Sequence, residues 1–127
     1  MFAAMLKEAE KYLGFPYVWG GTNPSTSFDC SGYVSWVINH SGWNYGRLGV
    51  IGLENVCTPV SRSNAKPGDL VFFIGTYDAP YPDRPSHVGI YVGNGMMIHC
   101  GSPISYANIN TPYWQNHFYG FGRLREP

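Results

Sequence analysis

The chain has 127 residues, enough for one domain around one hydrophobic core. Hydrophobic residues make up 44% and charged residues only 13%, a folded globule and not a disordered tail. Lys plus Arg and Asp plus Glu number 8 each, so net charge is zero; there is no basic face for nucleic acid, and no apolar run is long enough to span a bilayer.

Phe2, Met5, Leu6, Ala9, Tyr12 and Leu13 recur at helical spacing and predict a helix over 2–13, ended by Gly14 and Pro16. Lys7, Glu8, Glu10 and Lys11 make it amphipathic, unlike a signal peptide, so an export address is not expected in this chain. Residues 14–28, rich in Gly, Ser and Thr, read as a loop without regular structure. A second helix is predicted from Cys30 to about His40, with Asp29 at its N-cap and Gly42 behind its end. Tyr33, Val34, Val37, Ile38 and Ser41 share a face with Cys30. Residues 45–56 read as a short helix. After the Lys66-Pro67-Gly68 turn the pattern becomes that of strands. Asp69–Ile74 is a strand, 75–85 a loop stiffened by three prolines, and Ser86–Val92 and Met96–Cys100 a hairpin about Gly93-Asn94-Gly95. Residues 118–124 form a last strand. Helices first and strands later give an α+β fold with an antiparallel sheet.

Three cysteines cannot all pair, and no CxxC spacing marks a structural zinc site. One reactive thiol is the remaining use. Cys30 opens a helix, where free N–H groups and the dipole favour a thiolate; the bland reading is a small buried residue. Asp29 beside it should raise the thiol pKa. Its better roles are capping the helix or pairing with a cation, such as the amino group of a peptide substrate.

His87 and His99 lie on opposite strands of the hairpin. With a three-residue loop, Val92 faces Met96, His99 faces Gly89, and His87 is its diagonal neighbour on the same face. A two-residue loop would put the histidines on opposite faces. On the first register, His87 takes the thiol proton and returns it to a leaving amine, while His99 fixes the His87 tautomer. Satisfied structural histidines, or zinc held by two His and one Cys, are the alternatives. His40, His117, Cys57 and Cys100 read as structural, and Trp19 as core packing.

Tyr17-Val-Trp-Gly-Gly21, Asp29-Cys-Ser-Gly32, Lys66-Pro-Gly-Asp-Leu70 and His87-Val-Gly-Ile-Tyr91 followed by Ile98-His99 stand in one order. Together they resemble the NlpC-type cell-wall cysteine peptidases of the papain-like superfamily, over residues 12 to about 124. The resemblance implies a papain-like α+β fold with the nucleophile at the N-terminus of a helix packed on a central antiparallel sheet. It implies hydrolysis of peptidoglycan stem peptides between γ-D-glutamate and diaminopimelate or lysine. Cys30, His87 and His99 would be catalytic. Tyr17 would line the oxyanion region, and Asp29 and Ser31 would contact the amino-terminal end of the substrate. No metal or cofactor is implied.

The chain departs from the family pattern in two places. Segment 75–85 is longer than the usual turn and is expected to wall the cleft, and Cys100 stands where a small apolar residue is common. Two other functions stay open: an amidase cutting muramic acid from L-alanine, and a peptidoglycan-binding module that cuts nothing. The expected setting is extracellular or in the cell wall, without membrane insertion. The expected form is a monomer made of a single domain over 1–127, taken from a larger hydrolase with a lysozyme-like or wall-binding domain.

Overall fold

The structure is a computed structural model and describes residues 2–127. Helix α1 (Phe2–Glu10) buries Met5 and Ala9. It stops short of Leu13, because Lys11, Tyr12 and Leu13 donate to carbonyls three residues back in tightening turns. The segment expected to be irregular holds a miniature hairpin, β1 (Thr22–Asn23) and β2 (Ser27–Phe28). Asn23 Oδ1 makes its bend by accepting from the Ser25 and Thr26 N–H groups.

Helix α2 (Cys30–Asn39) is the central element, and its predicted face of Tyr33, Val34, Val37 and Ile38 is wholly buried. The Tyr33 hydroxyl donates to the Ala9 carbonyl at 2.8 Å and ties α2 to α1. Gly32 is required by a close approach: a Cβ there would lie 2.0 Å from the Gly21 carbonyl oxygen. The glycines of the two motifs thus let the loop backbone rest directly on the start of α2.

A shorter helix than expected, α3 (Val50–Asn55), leads into β3 (Cys57–Val60) and a 3-10 turn at Arg62–Asn64. Then come β4 (Leu70–Phe73), β5 (His87–Gly93), β6 (Met96–Cys100), β7 (Ile104–Asn108), helix α4 (Pro112–Asn116) and β8 (Phe118–Leu124). The sheet has the order β3-β8-β4-β5-β6-β7, with every neighbouring pair antiparallel. This is the expected α+β arrangement.

Strand β4 reads as an unbroken apolar run because both sheet faces are covered. Leu70 and Phe72 join Val34, Ile38, Val88, Ile90 and Ile98 on the α2 side. Val71 and Phe73 meet Met97, Ile109 and Phe121 on the other. The Lys66-Pro67-Gly68-Asp69 turn is pinned to β8 by Asp69, which is buried and accepts from Arg123 Nε at 2.8 Å and Nη2 at 2.9 Å.

The β5–β6 hairpin reaches the expected register by another route. Gly93 pairs with Met96, so the loop has only two residues, Asn94 and Gly95, both at positive φ (55° and 75°). Left alone, that turn would separate the histidines. A β-bulge at Val92 restores the pairing of Tyr91 with Met97 and Ile90 with Ile98. His99 then stands beside Gly89, where a Cβ would come within 3.1 Å of the His99 Cβ.

Candidate active site

Asp29 starts α2 as its N-cap, with φ −91° and ψ −174°, and its Oδ1 accepts the Gly32 N–H at 2.7 Å. Cys30 follows as the first helical residue and is buried at the bottom of a groove. The amide N–H groups of Ser31 and Val88 face its sulfur, so the peptide unit joining His87 to Val88 lies directly against it. Those donors hold the thiol down, the Ser31 N–H from the helix start and the Val88 N–H from β5. Burial outweighs them, the Asp29 charge adds to it, and the thiol is pushed up to about 11. The helix start alone therefore does not make a thiolate of Cys30.

His87 opens β5, and its Nε2 lies 2.8 Å from His99 Nδ1. For His87 to offer a lone pair at Nδ1, its Nε2–H must donate and His99 Nδ1 must accept. Burial depresses both imidazoles, His87 to about 3 with His99 adding to the effect, and His99 to about 4. At neutral pH the pair is uncharged, and His87 can accept a proton.

Trp114, on the short helix α4, walls this pair. Its ring stacks on His87 at 5.3 Å and 25°, meets His99 edge-on at 5.3 Å and 90°, and is backed by Phe73 at 4.5 Å. Sequence reasoning missed Trp114 because it left 112–116 without an element. Thr111 and Pro112 were the available signal, an N-cap followed by proline at the first helical position.

Arg47 was also missed, in a Gly-rich segment without periodicity. Its Nη2 grips both Asp29 oxygens at 2.8 and 2.9 Å, and its Nη1 donates to Ser31 Oγ at 2.8 Å and the Leu48 carbonyl at 2.6 Å. The cation expected for Asp29 is thus already in the chain. Asp29, Ser31 and Arg47 form one unit beside Cys30.

The groove has two lobes of about 460 and 470 Å³ that share Tyr17, Trp19, Cys30, Tyr77 and Ser86. The first lobe runs past Asp29, Ser31 and Arg47 to Tyr81, the second past His87 and His99 to Trp114. The Tyr17 hydroxyl is met by the Cys30 backbone N–H at their junction, and burial raises its pKa. Trp19 is not core packing: it is 73% exposed and lies edge-on to Tyr77 at 5.5 Å. Segment 75–85 lines the first lobe through Tyr77, Ala79, Pro80, Tyr81 and Pro85. The Arg84–Glu54 ion pair at 2.8 Å and a Thr76–Ser86 hydroxyl contact at 2.6 Å anchor it.

The remaining candidates have structural partners. The Cys100 thiol is buried and donates to the Phe28 carbonyl at 3.2 Å. Cys57 opens the edge strand β3 and is partly buried, and burial pushes its thiol up to about 12. His40 bonds the Trp36 carbonyl through Nδ1 at 2.7 Å, and His117 bonds the Ile74 carbonyl at 2.8 Å. Among the described residues, no group of three or more His, Cys, Asp or Glu side chains is placed to hold a metal ion.

The model of the NlpC/P60 family matches residues 14–123. The bifunctional muramidase/DL-endopeptidase CwlT of Bacillus subtilis is 42% identical over 125 residues, which is 98% of this chain and 37% of CwlT. The probable endopeptidase p60 of Listeria innocua is 44% identical over 122 residues, 95% of this chain and 24% of that protein. The crystal structure of a lipoprotein-like NLP/P60 family protein from Staphylococcus aureus superposes with a TM-score of 0.93 at 38% identity, covering 99% of this chain and 42% of that one. The chain thus spans between about a quarter and two fifths of these relatives.

Proposed function

The chain belongs to the NlpC/P60 family, and from that premise we propose that it is a thiol-dependent endopeptidase of peptidoglycan stem peptides, cutting the bond between γ-D-glutamate and diaminopimelate or lysine. The observation that carries this reading is the hydrogen-bonded His87–His99 pair, which lines the same groove lobe as the buried Cys30 at the junction with the second lobe. A binding surface has no use for that arrangement. The DL-endopeptidase activity in the name of CwlT supports the choice of bond.

The reaction follows from the groups present. Cys30 Sγ attacks the scissile carbonyl carbon while its proton passes to His87 Nδ1. A neutral thiol needs this transfer to accompany attack, since burial keeps both partners uncharged beforehand. The imidazolium is held in place by donating Nε2–H to His99 Nδ1. Negative charge gathers on the carbonyl oxygen, where the Tyr17 hydroxyl, itself accepting from the Cys30 N–H, is the donor at hand. His87 then protonates the leaving amine, and a thioester remains on Cys30. Water, deprotonated by His87, hydrolyses it. Because His87 must reach the leaving nitrogen, the amine half of the substrate lies in the His87 lobe and the acyl half in the Asp29–Arg47 lobe. Asp29 and Ser31 bear on the acyl side.

The relatives are much longer than this chain, which supports reading it as the endopeptidase module of a larger hydrolase that works at the cell wall. No helix among the described residues is long and apolar enough to cross a membrane.

Purified muropeptides digested by the wild type and by Cys30→Ala test the function, with products read by mass spectrometry. New fragments ending in γ-D-glutamate, absent with Cys30→Ala, are expected. Release of intact free stem peptides would make it an amidase. Unchanged muropeptides with the protein still sedimenting with cell walls would make it a binding module.

A further inference from the structure

The lobe that receives the amine half of the substrate offers no ion to hold it. Among the described residues, no Lys, Arg, Asp or Glu lines this lobe, and both of its histidines are neutral at pH 7. Its grip on the leaving half is left to neutral hydrogen bonds and apolar contact.

The reaction itself sets where the protons of the histidine pair sit. His87 needs a lone pair at Nδ1, so its Nε2–H donates to His99 Nδ1 at 2.8 Å. A neutral imidazole carries one proton. With Nδ1 accepting, that proton sits on His99 Nε2, at the edge of the ring away from His87. His99 makes no hydrogen bond through Nε2 among the described residues, whereas every fully buried side-chain nitrogen and oxygen among them has a partner. The Nε2–H is therefore open to the lobe that His99 lines, although the side chain as a whole is only 6% exposed. A donor left alone at the end of a buried ring is costly until something accepts from it.

The backbone beyond β6 keeps that edge clear. A Cβ at Gly101 would stand 2.9 Å from His99 Cε1 and 3.2 Å from Nε2, so a side chain there would push the ring or cover its N–H. An acceptor arrives with the substrate. The scissile nitrogen has to meet His87 Nδ1, and an extended chain advances about 3.3–3.6 Å per residue. The leaving residue thus carries its own main-chain carbonyl past His87 and toward the outer edge of His99.

On the endopeptidase reading above, we propose that His99 is also a substrate contact: its Nε2–H donates to the main-chain carbonyl oxygen of the leaving residue, and Gly101 keeps the approach open. One ring then orients the base through Nδ1 and the leaving half through Nε2. The amine is held at the His87 nitrogen that has to protonate it.

Two substrates with one acyl half test the proposal. In the first, the leaving residue is the one that the muropeptide digest shows to be cut, and it keeps its main-chain carbonyl as an amide. In the second, a hydrogen replaces that amide group. The ratio of their kcat/KM values includes the different basicity of the two amines, which is common to every variant. His99→Asn keeps an acceptor for His87 but is too short to bring a donor to the lobe, and Gly101→Ala covers the donor. Each should lower the ratio by about tenfold, the cost of leaving a donor or carbonyl unpaired. A ratio unchanged in either variant would overturn the proposal, because a purely orienting role for His99 slows both substrates alike. Nitrogen NMR of the histidine rings in Cys30→Ala protein gives a readout free of turnover. His99 should carry its proton on Nε2, and that signal should move downfield on adding the first substrate but not the second. A proton on His99 Nδ1 instead would also overturn the proposal. If the wild type cuts no muropeptide, the endopeptidase reading itself falls. If it cuts and the ratio ignores both substitutions, that reading stands and only the proposal fails.

Discussion

Trp114 fixes the plane of the His87 imidazole. Stacked contact at 5.3 Å and 25° leaves the ring little freedom to turn, and the edge-on contact to His99 holds the acceptor where the Nε2–H points. The same ring keeps water off the pair, and that burial is why His87 sits near 3. Trp114→Ala should therefore lower kcat by about ten- to a hundredfold, the usual cost of a misplaced catalytic group, with a smaller change in KM. The lost cover should also let the His87 pKa climb from about 3 toward 6.5, moving the acid limb of kcat to higher pH. Trp114→Phe keeps a flat apolar wall and should recover most of both effects. A Trp114→Ala enzyme with a lower Tm but an unmoved acid limb would reduce Trp114 to packing.

The β5–β6 hairpin brings the two histidines together only because two local features cancel. The two-residue turn at Asn94-Gly95 sets one register, and the bulge at Val92 shifts it back by one residue. Gly93 links them at φ +92°, a conformation that β-branched residues resist. Gly93→Val should destabilise the fold by about 1–3 kcal/mol in urea titration. It should also favour the unbulged pairing, which turns His99 away from His87, so kcat should fall further than the fraction folded. A Gly93→Val protein with wild-type kcat well below its Tm would show that the register survives without the bulge. The same hairpin shows what sequence can convey. Its strands and their shared face were legible from Gly-Asn-Gly between apolar runs, whereas the bulge was not, because no side-chain pattern marks a residue that opposes nothing. Helix α2 and strand β4 were legible from dense apolar spacing. Strand β7 was not: only one residue of Ile104–Asn108 is fully buried at this sheet edge, which leaves no alternation in hydrophobicity to read. Among the candidate site residues, Cys30, His87 and His99 stood out by chemical type. Arg47 lies 18 positions from its partner Asp29, and only the folded chain brings the two together.

Across the whole molecule the charge balance is zero at pH 7, so general repulsion adds little to the pH dependence of stability just below neutrality. The buried histidines then dominate that range. Both start from 6.5, and folding lowers them to about 3 and about 4. Between those values the unfolded chain binds protons that the folded chain refuses, so acid favours unfolding. Stability from this pair is complete above about 6.5 and declines as pH falls toward the folded values. The slope is on the order of 1 kcal/mol per pH unit for each group. Glu8, whose pKa is lowered despite its burial because the Tyr12, Lys11 and Trp36 side chains donate to it, is a carboxylate and adds its loss only at more acid pH. Thermal unfolding should therefore show Tm falling already between pH 6.5 and 5, where only histidines titrate. In a His87→Gln, His99→Gln protein, Tm at pH 7 can move either way, but the decline over this interval should flatten. A slope equal to the wild type's would mean that the pair titrates near its unfolded value, and that His87 is not held as a buried neutral base.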